Sequence, residues 1–132
     1  MTLQEIYRRL VFNVCAGNTG DHLRNHAAFW DGSHLALTPA YDLEPVARRG
    51  REASHAIALT LDGRRDSRLK TALAAAAEFH LTEAAARAVI DAIRRHWDEA
   101  CDQARLTEGE RNGLWGREIL NAYIFEGNAA SD

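Results

Sequence analysis

Apolar residues recur at helical spacing at both ends of the chain and at shorter spacing in between. Leu3, Ile6, Tyr7, Leu10, Val11, Val14 and Cys15 share one helix face, and Thr2 to Glu5 reads as a T-x-x-E capping box before them. Gly17 is placed to end that helix. The stretch "GNTGDHLRNH", residues 17 to 26, then breaks the pattern with a run of polar side chains. In "HAAFWDGSHLALTP" two short runs flank Asp31-Gly32, a turn dipeptide. They predict a small β-hairpin with Phe29, Trp30, Leu35 and Leu37 available for burial. Pro39 and Pro45 bracket "AYDLE", and Val46 to Ala53 reads as an exposed basic loop.

Downstream, His55, Ile57, Leu59 and Leu61 alternate with smaller residues, which predicts a short extended segment. The pattern turns helical from Ser67. Ser67 is placed to cap a helix carrying Leu69, Leu73, Ala76 and Phe79, and Thr82 a longer one carrying Ala86, Val89, Ile90, Ile93, Trp97 and Cys101. Thr107 with Glu110 forms a second capping box before Leu114, Leu120, Tyr123 and Ile124. Core packing accounts for Trp30, Trp97, Trp115, Phe79 and Tyr123, while His34, His55, His80 and His96 read as surface or element-end residues. The result is a mainly helical α+β domain over 1–126 with a flexible tail over 127–132.

Composition narrows the function classes. The 132 residues fit a single core, and the net charge of -3 argues against a domain whose main task is gripping nucleic acid. No apolar run approaches a membrane span and the N-terminus does not read as a signal peptide, so the expected location is cytoplasmic. Cys15 and Cys101 both fall on apolar helix faces, where free buried thiols are common. Of the sixteen Lys and Arg residues only Lys70 is a lysine, which leaves one candidate for a phosphate-binding lysine.

A turn accounts for Gly17, Asn18 and Gly20, but not for Asp21, His22, Asn25 and His26 together. Protein kinases place a catalytic Asp five residues before a magnesium-binding Asn, then a short sheet segment and a second metal-binding Asp. Here Asn25 is followed by the predicted hairpin and then by Asp42 in "PAYDLEP". An Asn and an Asp at the two ends of one hairpin can converge on one ion. Were this segment helical, His22 and His26 could bind zinc, a hydrolase reading that Gly17 and Gly20 disfavour.

"FNVCAGNTGDHLRNHAAF" followed by "LALTPAYDLEP" resembles the HipA family of serine/threonine kinase toxins, in the catalytic loop and the metal-binding Tyr-Asp of its C-terminal lobe. The resemblance continues through "HAIALTLDGRR" and the following helices. It implies the helical C-terminal lobe of a protein-kinase-like fold, with Mg2+ and ATP as cofactors. It gives Asn25 and Asp42 the metal-ligand roles, Asn18 a cofactor contact and His22 a supporting role in the catalytic loop, with Asp21 the candidate for the catalytic base. The family motif runs Asn-Thr-Asp, whereas Asn18 and Thr19 are followed here by Gly20. Asp21 stands one residue too close to Asn25 for that pattern. No lysine or phosphate-covering loop precedes Gly17, so the resemblance implies an ATP site completed elsewhere.

Two functions follow. One is the lobe of a protein kinase acting with a separately encoded N-terminal lobe on a protein substrate. The other is a noncatalytic remnant that binds a partner, such as an antitoxin-like DNA-binding protein.

Overall fold

The inward stripe of the first helix, α1 (Thr2–Ala16), buries Tyr7, Val11, Val14 and Cys15, the positions that the apolar spacing selects. A computed structural model describes residues 2–47, 50 and 52–127. Thr2 lies inside α1 and donates to the Leu35 carbonyl at 2.7 Å, tying the helix to the hairpin instead of forming the expected capping box. Tyr7 packs against Phe79 with the two rings tilted at 55° and donates to the Ala72 carbonyl at 2.9 Å, so the phenol is buried but satisfied. Burial pushes its pKa up to about 12.

Strands β1 (Ala28–Trp30) and β2 (Leu35–Leu37) form the hairpin, antiparallel, with Phe29 opposite Ala36. Asp31 closes the turn by accepting from the His34 and Ser33 amides at 2.7 and 2.8 Å. Its apolar residues do not reach the core. Phe29 is 66% exposed and Trp30 62%, because two strands of three residues have no second layer to cover them.

Residues 55–63 are not an extended segment. The chain curls at Thr60, whose carbonyl accepts from Gly63 at 3.0 Å, so Leu59 is buried while Leu61 at the tip is 88% exposed. His55 is buried, contrary to its surface assignment, and pairs with Ser67 Oγ at 3.1 Å. Ser67 therefore caps nothing. The residue before helix α2 (Leu69–Ala75) is Arg68, and α2 passes into a 3-10 turn over Ala76–Phe79.

Helix α3 (Glu83–Gln103) begins where expected, with Thr82 Oγ1 accepting from the Ala85 amide at 3.2 Å. Helix α4 (Glu108–Leu114) carries the full capping box of Thr107 and Glu110. After Leu114 the chain turns back instead of continuing as helix, and Ile119, Leu120, Tyr123 and Ile124 join the core. Trp115 stays half exposed against Trp97. Cys15 and Cys101 are buried free thiols.

The architecture is mainly helical with one small hairpin: α1 packs on α2 and α3, and the chain after α4 closes over the start of the polar loop. Among the described residues no helix is long and apolar enough to cross a membrane. Arg48, Arg49 and Arg51 of the basic loop and residues 128–132 of the expected tail lie outside the described residues.

Candidate functional site

The polar loop starts at Gly17, whose φ of +71° ends α1. Its carbonyl accepts from the Thr19 and Val46 amides at 2.9 and 3.0 Å. A Cβ at this position would collide with the Glu118 carbonyl, so glycine is required by both conformation and space. Leu120 donates to the Cys15 carbonyl at 2.7 Å, and Ala56 donates to that of Thr19 at 2.9 Å. Backbone contacts from three directions thus fix where the loop leaves the helix.

Beneath the loop runs a chain of side-chain hydrogen bonds. Asn18 donates to Asn13 Oδ1 at 3.0 Å, and Asn13 donates to Asp21 Oδ2 at 2.9 Å. His26 Nε2 meets the same Asp21 oxygen at 2.8 Å. Asn13 and Asn18 are 3% exposed and Asp21 4%, so these groups are satisfied internally. A small cavity of about 130 Å³ lies beside them, lined by Asp21, His26 and His55 with Ile6, Leu10 and Phe79. Asn13 was not among the expected residues. Its signal is a polar residue three positions after Leu10 and seven after Ile6, on the apolar face of α1.

Above the loop a second pair forms. A 3-10 turn over Leu23–Asn25 presents Asn25, whose Nδ2 donates to Asp42 Oδ2 at 2.9 Å. Tyr41 Oη donates to the Arg24 carbonyl at 2.7 Å and holds the far strand of chain in place. Asp42 is exposed and has φ +56°, a left-handed conformation that aspartate tolerates better than most residues. The hairpin therefore brings Asn25 and Asp42 together. Asn18 and Asp21 belong to the buried chain, and His22 is exposed at the entry to the 3-10 turn, which its side chain does not cap.

Asn25 and Asp42 suit a hard cation. Magnesium is usually held by one or two carboxylates, with waters and phosphate oxygens completing its shell. Half a turn of the Asn25 amide would set Oδ1 beside the Asp42 carboxylate, giving two oxygen donors, one on exposed Asp42 and one on Asn25, which is only 9% exposed. Among the described residues no three His, Cys, Asp or Glu side chains gather as a metal cage. Asp21, His22 and His26 thus do not assemble the zinc site that their spacing allows, since His26 turns onto Asp21.

Gly20, at the position where the resemblance expects the catalytic Asp, is exposed. An added Cβ there would meet only Val46 Cγ2 at 3.6 Å, an ordinary contact.

The family model for the HipA-like C-terminal domain matches residues 1–101. No curated protein and no solved structure matches the chain.

Proposed function

We propose a function that starts from one premise: the chain belongs to the HipA-like C-terminal domain family. It forms the magnesium-binding C-terminal lobe of a HipA-like serine/threonine protein kinase, the toxin of a toxin–antitoxin module. The ATP site is completed by a further polypeptide segment, and the lobe is inactive alone. The observation that carries this reading is Asn25 meeting Asp42 at 2.9 Å across the hairpin. In such a site magnesium supplies charge neutralisation on the ATP phosphates. Asn25 and Asp42 hold the ion, and the buried chain of Asn18, Asn13, Asp21 and His26 keeps the loop in the shape that lets them do so.

A second reading, a noncatalytic lobe that binds a partner, is favoured by Gly20 and by the inward hydrogen bonding of Asp21. A general base must reach its proton at roughly 2.6–3.2 Å, and Asp21 Oδ2 is already engaged by two donors. The open surroundings of Gly20 make Gly20→Asp a clean probe. With ATP, magnesium and a polypeptide supplying the N-terminal lobe, phosphate transfer that appears only in Gly20→Asp supports a half-site lacking its base. Transfer by the native chain would contradict the noncatalytic reading.

The metal assignment is tested by following the Asn25 side-chain amide by NMR during magnesium titration. A saturating shift that disappears in Asp42→Ala supports it, and an unmoved amide removes it.

A further inference from the structure

Among the described residues one face of α1 is only partly covered. Glu5, Arg8, Arg9 and Phe12 stand at i, i+3, i+4 and i+7, one stripe of the helix. Facing them, α3 presents Ala85, Ala88 and Ala92 with Val89 at the same repeat. The two stripes wall a groove of about 660 Å³ that ends on Ala40 and Leu43, on either side of Tyr41 and Asp42. Phe12 and Leu43 are exposed in it.

The walls say what kind of occupant fits. Both are helices whose backbone groups are paired internally, so neither wall offers a free edge for an extended strand. A helix, which pairs its own backbone groups, can lie between two such walls. The alanines on α3 let a second helix axis approach to ~8–10 Å. Charge adds a requirement. Arg9 is held by Glu5 at 3.0 Å and by the Thr38 carbonyl at 2.7 Å. Arg8 reaches Glu5 only at 3.7 Å and its side chain is 59% exposed, so this rim carries an under-neutralised cation.

We propose that this groove seats an α-helix of a partner polypeptide, apolar toward Phe12, Val89 and Leu43 and bearing a carboxylate opposite Arg8. Seated there, the helix ends beside Asp42 and brings its owner to the edge of the Asn25–Asp42 pair. Neither Asn25 nor Asp42 lines the groove, so failure of the metal reading and failure of this one are separable.

The probe is a pair of fluorescein-labelled, lactam-stapled helical peptides of about fourteen residues, long enough to form a helix when stapled. Each carries Leu at i, i+3, i+4 and i+7, with Glu or Lys at the position facing Arg8. Fluorescence anisotropy should show saturable binding of the Glu peptide to the full chain, with the Lys peptide weaker by roughly tenfold. Ala88→Arg, an exposed change on α3, should abolish binding while far-UV circular dichroism stays native. Arg8→Glu should reverse the preference between the peptides, which keeps the test decisive if Ala88→Arg folds poorly. The proposal is overturned by no binding of the Glu peptide, by equal binding of both, or by a preference that Arg8→Glu leaves unchanged. A dimer of the chain alone that Ala88→Arg dissociates would assign the groove to a second copy instead.

Discussion

Gly17 joins three constraints in one residue: a left-handed φ, a carbonyl shared by Thr19 and Val46, and contact with the Glu118 backbone. Substitution strains the first and forces the third apart. Gly17→Ala should therefore lower stability by more than about 1 kcal/mol in urea unfolding, and a change within experimental error would show that Glu118 moves freely. The helix-ending role of Gly17 was legible in the sequence, but its contact with Glu118 was not, because about a hundred residues separate them. Asn25 and Asp42 were legible as a pair, since their order around a hairpin is a local pattern that the turn at Asp31 converts into proximity. The destination of Asp21 was not. Whether that carboxylate faces solvent or protein depends on Asn13, and only the packed helix shows that Asn13 waits beneath it.

At the scale of elements, side-chain caps marked two of the four helix starts expected from them. Thr82 and Thr107 start α3 and α4 as their positions require, because the bonds they make lie within four residues. Thr2 and Ser67 look the same in sequence but are diverted by long-range partners, the Leu35 carbonyl and buried His55. The hairpin was legible as a fold and misleading as a surface, since periodicity records which residues could be buried and not whether anything covers them. Its turn rests on Asp31, whose carboxyl is held below the usual aspartate range by hydrogen bonds from the His34 and then the Ser33 amide and hydroxyl. A depressed pKa stabilises the turn above the ordinary value of about 3.9, and that contribution is lost as pH falls through the lower folded value. The Ser33 and His34 amide resonances should accordingly titrate with a midpoint below about 3.9. A midpoint at or above that value would mean that the turn does not depend on the carboxylate.

For the whole molecule, the core does not stop where the family match does. The match ends at residue 101, yet Tyr123 and Ile124 are buried against the helices and Leu120 bonds to Cys15 beside the polar loop. Ile124→Ala should cost about 2–5 kcal/mol in equilibrium unfolding, as deletion of a fully buried side chain does. A cost near zero would mean that the last segment is an appendage. The mainly helical class and the single hairpin were legible from spacing, whereas the closing of the C-terminal segment over Gly17 was not, since it rests on backbone contacts that side-chain patterns do not encode. At the surface of this arrangement the exposed Asp42 meets the buried Asn25, with the α1–α3 groove beside them. Calorimetric titration of magnesium into the native chain, Asn25→Ala and Asp42→Ala tests the central claim most directly. Each variant should bind magnesium at least about tenfold more weakly while keeping the native circular dichroism. Affinities within about twofold of the native chain in both variants would contradict a magnesium site at this pair.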